Sequence, residues 1–131
     1  MKQFRRLVLV FIAIIPLAAC SDYSKDIEAV RAARTVVDDQ TNDDLARQLA
    51  GARGKVEWVA DRPEKYRDNE HIVAVTAKIE RTTRAGGKRL IDLQFIRNRQ
   101  TQQIAFEQLT IDGQPQGLVA GALNLLLMQL E

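Results

Sequence analysis

The stretch from His71 to Arg97, HIVAVTAKIERTTRAGGKRLIDLQFIR, decides the fold. Apolar residues occupy every second position in both of its halves, which places them on one face of an extended strand. They are Val73, Val75, Ala77 and Ile79 in the first half, and Ile91, Leu93 and Phe95 in the second. Between the halves lies Ala85-Gly86-Gly87, and glycine accepts the positive φ angles that tight turns require. The stretch therefore predicts a β-hairpin with strands at His71–Thr83 and Lys88–Arg97.

A shorter strand is predicted before the hairpin. Val56, Trp58 and Ala60 lie two residues apart and therefore share one face of a strand. The next segment, from Asp61 to Glu70, is polar and contains a proline, which is typical of a loop.

The segment after the hairpin predicts a fourth strand whose alternation changes phase. Ile104 and Phe106 share one face, whereas Leu109 and Ile111 share the other. Because a two-residue period cannot bury both pairs, we expect a bulge near Glu107-Gln108.

Helical patterns flank the strands. Ser24 is a candidate N-cap for an apolar stripe with three- and four-residue spacing that extends to about Asp39. Thr41 or Asn42 is a second candidate N-cap, and Gly51 ends that region, so the pattern fits one broken helix or two short ones.

The last predicted helix, from about Gln116 to Leu130, is apolar nearly all round. Only Asn124 and Gln129 interrupt its run of Leu, Val, Ala, Gly and Met. A helix of this kind is expected to be buried on most sides, here between the sheet and the N-terminal helices. The alternative is that one side binds a partner, a second copy or the membrane surface.

Together these elements predict an α+β fold: an N-terminal helix or helix pair, a four-stranded antiparallel meander, and an apolar C-terminal helix. This order loosely resembles cystatin-like and NTF2-like rolls, in which a curved sheet wraps a helix. The resemblance rests on element order alone and implies no function.

The first twenty residues have the order of a secretion signal. Lys2, Arg5 and Arg6 precede an apolar stretch from Leu7 to Ala19, which ends in Leu17-Ala18-Ala19-Cys20. This segment resembles the signal peptide of bacterial lipoproteins, with the lipobox cysteine in place. The alternative, an uncleaved membrane helix, needs about 20 apolar residues, and this stretch supplies 13 with a proline among them.

The lipoprotein resemblance implies a domain organisation and a location. Residues 1–19 would be the signal peptide, residues 20–24 the lipidated Cys20 with a short tether, and residues 25–131 a single α+β domain. The resemblance implies attachment to a membrane through lipid on Cys20, facing the periplasm. Ser21 follows the cysteine where inner-membrane lipoproteins of enteric bacteria tend to have aspartate, so the outer membrane is favoured over the inner.

Removal of the signal changes the charge balance. The signal contains three of the 19 basic residues, so its removal leaves 16 basic residues against 17 acidic ones. The basic character of the whole chain therefore does not indicate nucleic-acid binding, and we expect no nucleic-acid partner.

The mature chain offers few groups for catalysis. Its two serines, Ser21 and Ser24, lie in or beside the tether, its only cysteine is the lipid site, and His71 is its only histidine. Nucleophilic triads and multi-histidine metal sites are therefore not expected. Asp38, Asp39, Asp43 and Asp44 could ligate calcium, but their spacing does not match a calcium loop and fits helix capping. We predict no enzyme activity, no cofactor and no metal.

The hairpin is locally basic. Residues 78–99 contain seven basic residues and two acidic ones. Such charge is consistent with protection of strand edges, or with attraction to an anionic envelope component or an acidic face of an envelope protein. The candidate contact residues for such a partner are Arg81, Arg84, Lys88 and Arg89.

Two functional hypotheses follow. The first is a membrane-anchored, periplasm-facing lipoprotein that acts as a non-catalytic binding or assembly accessory of the cell envelope. The second is a small-ligand-binding domain or degenerate enzyme with a pocket between sheet and helices, lined by Trp58, Phe95 and Phe106.

Overall fold

The computed structural model describes residues 22–35 and 39–129. The predicted signal peptide, Cys20 and Ser21 lie outside the described residues, and so do Asp38 and Leu130.

The described chain is α+β, as predicted, and forms one sheet with all three helices packed on a single core. The helices are α1 at residues 22–32, α2 at Asn42–Ala50 and α3 at Leu118–Gln129. The strands are β1 at Lys55–Asp61, β2 at Ile72–Thr82, β3 at Lys88–Asn98, β4 at Ile104–Ile111 and β5 at Gln114–Gln116. A short 3₁₀ turn, Glu64–Tyr66, lies in the loop between β1 and β2. The sheet is antiparallel, and its strands are adjacent in chain order, so the predicted meander is confirmed.

The central hairpin forms as predicted. β2 pairs with β3 along its whole length, from Ile72 opposite Asn98 to Thr82 opposite Lys88. The alternating apolar residues of both strands are buried on one face, where they form the centre of the core. Gly86 in the turn has a φ of +87°, which explains why glycine is needed there.

The bulge in β4 is also confirmed. Gln94 of β3 lies opposite Gln108, whereas its neighbour Phe95 lies opposite Phe106. Glu107 is therefore the extra residue, and it returns Leu109 to the core face, where it is 8% exposed. Lys65 Nζ and Tyr66 Oη both contact Glu107 Oε1, at 2.9 and 3.1 Å, so the β1–β2 loop is held against the bulge.

The prediction of four strands is wrong, because a fifth short strand follows β4. Asp112 and Gly113 have φ angles of +50° and +82° and form a two-residue hairpin turn. Pro115 lies opposite Thr110 in this strand, although proline cannot donate a hydrogen bond to a neighbouring strand. It is tolerated because β5 is the outermost strand of the sheet in the described chain.

The N-terminal region forms two helices rather than one broken helix. α1 covers residues 22–32 of the described chain, so Ser24 lies within the helix and is not its N-cap, and the helix ends at residue 32 rather than near Asp39. Thr41 caps α2 with a capping box, as predicted, and Gly51 ends it. Asn42 Nδ2 donates to the Val30 carbonyl oxygen at 2.9 Å, which ties the two helices together.

The expectation that the last helix is buried on most sides is wrong. Among residues 118–128 of α3, only Gly121 and Met128 are buried, and most of the others are exposed. α3 packs on the core face of the sheet and shares this core with α1 and α2. Because it contacts the core with one side only, its other side is left uncovered.

Candidate functional site

The inner side of α3 is narrow and closely packed. Gly121, Leu125 and Met128 follow each other at four- and three-residue spacing and face the domain. A Cβ atom on Gly121 would lie 2.7 Å from Cδ2 of Leu109, so glycine is what allows the helix to approach the sheet. Asn124 Nδ2 donates to Gln116 Oε1 at 2.7 Å, which satisfies the only polar side chain described on the helix.

The outer side of α3 is aliphatic and in contact with water. The exposed fractions are 86% for Leu118, 81% for Val119, 55% for Leu123, 62% for Leu126 and 51% for Leu127. No charged residue occurs between Asp112 and Glu131. At about 1.5–3 kcal/mol for each fully buried side chain, covering these five would contribute roughly 5–10 kcal/mol. A continuous aliphatic surface of this kind is a candidate interaction site.

The predicted basic contact residues do not form one patch. Arg81 Nη1 donates to the Leu49 carbonyl oxygen at the end of α2, at 2.9 Å. Arg89 Nη1 binds Asp112 Oδ2 at 2.8 Å, across the β3–β4 pair. Both side chains thus bind acceptors of the domain itself.

Lys88 and Arg84 complete the basic set. Lys88 Nζ lies 2.9 Å from Glu80 Oε1, and this hydrogen bond raises the pKa of Lys88 and lowers that of Glu80. Lys88 and Glu80 lie on the sheet face opposite the one that carries Arg81. Arg84, in the exposed turn, makes no hydrogen bond or ion pair with the described residues. It is the one member of the set that is left for an external partner.

A groove lies between α1, α2 and β1. It has a volume of about 740 Å³ and is open to solvent, and Trp58, Ile27, Arg31, Arg47 and Asp43 are among the residues that line it. Asp43 accepts hydrogen bonds from Arg31 Nε at 3.0 Å and Trp58 Nε1 at 3.3 Å, and pairs with Arg47 at 2.9 Å. Of the three predicted pocket residues, Trp58 alone lines this groove. Phe95 is in the core, 6.2 Å from Trp58 between ring centroids, and Phe106 lies 5.7 Å from Phe95 and is 47% exposed, so the prediction of a pocket lined by all three is wrong.

Three of the four acidic residues considered as calcium ligands are described, and each has an internal partner. Asp39 pairs with Arg34, Asp44 closes the capping box of α2, and Asp43 holds the groove contacts. Within residues 22–35 and 39–129, no three His, Cys, Asp or Glu side chains come together in a way that could hold a metal ion.

A buried charged cluster fixes α1 to the end of β3. Asp26 is 1% exposed and accepts hydrogen bonds from Arg97 and from Arg99, whose Nη2 lies 2.7 Å from Oδ2. Burial raises the pKa of Asp26, but the hydrogen bonds and charges of the two arginines outweigh it and hold that pKa below its ordinary value. This cluster was not predicted from the sequence. A signal was present, because Asp26 lies four residues before Val30 and Arg97 lies two residues after Phe95, so each charged residue occupies a position that the periodic pattern assigns to the core face.

In the part of the chain that the structure describes, no helix is both long and apolar enough to cross a bilayer. Comparison with known proteins gives no match, whether to a family model, to a curated protein or to a solved structure.

Proposed function

We propose that this chain is a membrane-anchored, periplasm-facing lipoprotein that acts as a non-catalytic binding or assembly accessory of the cell envelope. The anchor is proposed from the lipobox Leu17-Ala18-Ala19-Cys20, and the outer membrane from Ser21. The observation that carries the accessory role is Arg84, an exposed charge in the turn between β2 and β3 that makes no hydrogen bond or ion pair with the described residues and is therefore available to a partner.

The contact with an envelope partner is proposed at the turn between β2 and β3. Arg84 supplies an uncommitted positive charge there, and long-range attraction between opposite charges speeds encounter and selects partners. Arg81, Lys88 and Arg89 keep this end of the sheet in place through their internal contacts.

We also propose that the sheet curves around α1 as in a cystatin-like or NTF2-like roll. The bulge at Glu107 supports this, because bulges increase the twist and bend of a strand.

Site-specific photo-cross-linking in intact host cells tests the accessory role. A photoreactive amino acid replaces Ala85, the exposed neighbour of Arg84, so that the arginine is kept, and the matched control replaces Asp61, an exposed residue at the opposite end of the sheet. We expect one discrete protein adduct from position 85 and not from position 61. Capture of only lipid and abundant porins from both positions would contradict the role.

A second function, binding of a small ligand, is favoured by the groove beside Trp58. Its volume lies in the range of about 300–1,000 Å³ that is typical of ligand sites. Trp58 is the only tryptophan in the chain, so its fluorescence reports on the groove. A thermal-shift screen in which no compound changes either the melting temperature or this fluorescence would exclude the second function.

A further inference from the structure

We propose that the outer side of α3 lies in the interfacial region of the bilayer to which Cys20 is attached. The domain would then be held at the membrane by two points, the acyl chains on Cys20 and the aliphatic surface of α3. This inference rests on the proposed lipid anchor, and it adds a direct contact between the folded domain and lipid.

The chain leaves little distance between the anchor and the domain. Residue 22, the first described residue of α1, follows Cys20 by two positions in the sequence. Two residues of fully extended chain span at most about 7 Å. Because Asp26 fixes α1 to β3, acyl chains inserted in a bilayer would keep the whole domain against the membrane surface.

α1 and α3 belong to the same side of the domain. Val30 of α1 and Met128 of α3 are part of one core, packed on the sheet face that carries Val75 and Phe95. A bilayer that holds the start of α1 is therefore close to the helical side of the domain. The exposed positions of α1 include Asp22, Lys25 and Glu28 and those of α2 include Arg47, so α3 is the helix whose exposed surface suits hydrocarbon.

A protein partner fits the outer side of α3 less well than lipid. A 12-residue helix is about 18 Å long and 10–12 Å wide. Pairing of two such faces, from two copies of the chain, would bury on the order of 400 Å², about a third of what the smallest stable interfaces bury. Protein interfaces also rely on aromatic, Met and Arg side chains, whereas the exposed positions among residues 118–128 of α3 hold only Leu, Val, Ala and Asn.

The proposed contact has a distinctive dependence on lipid and salt. Attraction of basic residues to anionic headgroups is weakened by salt. α3 carries no charge, so its insertion is expected to be the same in neutral and anionic vesicles and at low and high salt.

Depth-dependent fluorescence quenching on the acylated, full-length mature protein tests the proposal. Cys20 is the only cysteine, and acylation converts its sulfur to a thioether, so an introduced cysteine is the only thiol that maleimide dyes label. An environment-sensitive dye is placed at Leu123→Cys. The matched control is Lys78→Cys, an exposed position on the sheet face that points away from the helices. The vesicles consist of phosphatidylcholine alone or with phosphatidylglycerol.

We expect spin-labelled lipid to remove most of the fluorescence from position 123 and little from position 78, in both vesicle types and at both salt concentrations. Quenching of position 123 by aqueous iodide instead would overturn the inference and leave the lipid anchor intact. Energy transfer between labelled copies at position 123, without lipid quenching, would assign the surface to a second copy. Leu126→Cys repeats the measurement should Leu123→Cys fail to fold. Maleimide labelling of wild-type protein at Cys20 would refute the anchor and the inference together.

Discussion

Substitution of Asp26 by asparagine is expected to loosen α1, the helix that follows the proposed lipid site. Removal of one partner from a buried ion pair costs about 3–5 kcal/mol. The side chains of Asp26 and Arg97 are 2% and 11% exposed, whereas that of Arg99 is 39% exposed and partly screened by water. Asparagine keeps one acceptor oxygen, so we expect a loss of about 3 kcal/mol in the free energy of unfolding and a melting temperature lower by about 10 °C.

Urea unfolding of the wild type and of Asp26→Asn at pH 7 and at about pH 3 measures this effect. The pKa of Asp26 in the folded state lies below its ordinary value, so the ionised carboxylate stabilises the fold above roughly pH 4. This stabilisation is lost as the pH falls through the folded-state pKa. The difference between the two proteins should therefore shrink at low pH. Asp22→Asn is the control, since it removes the same charge from an exposed position of α1. An equal loss in both variants, or a difference that does not depend on pH, would refute the reasoning.

Three further substitutions test the packing that positions the candidate surfaces. Gly121→Ala should lower the free energy of unfolding by about 1–2 kcal/mol, because the added Cβ would contact Leu109. The control Gly117→Ala adds a Cβ that meets nothing within 4 Å and should stay within about 0.5 kcal/mol of wild type in urea unfolding. Equal effects of the two substitutions would contradict the close approach of α3 to the sheet. Gly54→Ala should cost about 3 kcal/mol or more, since its Cβ would overlap backbone carbonyl oxygens that cannot move aside, and a melting temperature near that of wild type would show the contact to be wrong. Tyr66→Phe removes the hydrogen bond to Glu107 and should lower the free energy of unfolding by about 1 kcal/mol. It should also speed amide hydrogen exchange in the β1–β2 loop, and an unchanged exchange rate would mean that the loop is held in another way.

The strands that could be predicted are those with a local pattern. Alternation of apolar residues and the Gly86-Gly87 turn define the β2–β3 hairpin within 27 residues of sequence. The bulge was predictable because the phase of alternation changes between Phe106 and Leu109, and one extra residue restores it. β5 was missed although Asp112-Gly113 is a strong hairpin-turn signal, because a strand of three residues that includes Pro115 has no alternating pattern to detect.

The candidate sites depend on contacts between distant parts of the chain, which a local pattern does not encode. The basic residues of the hairpin were visible in the sequence, but Arg81 binds a carbonyl oxygen 32 residues away. Likewise, the composition of α3 predicted burial. How much of α3 is covered depends on how α1, α2 and the sheet share one core, and this sharing leaves the outer side of α3 open.

Intact mass spectrometry of the protein purified from membranes of its host tests the central claim, that the domain is held at a membrane through Cys20. We predict a chain that begins at Cys20 and carries the added mass of a diacylglycerol thioether, with or without a third acyl chain. An unmodified chain that still includes residues 1–19 would contradict the claim.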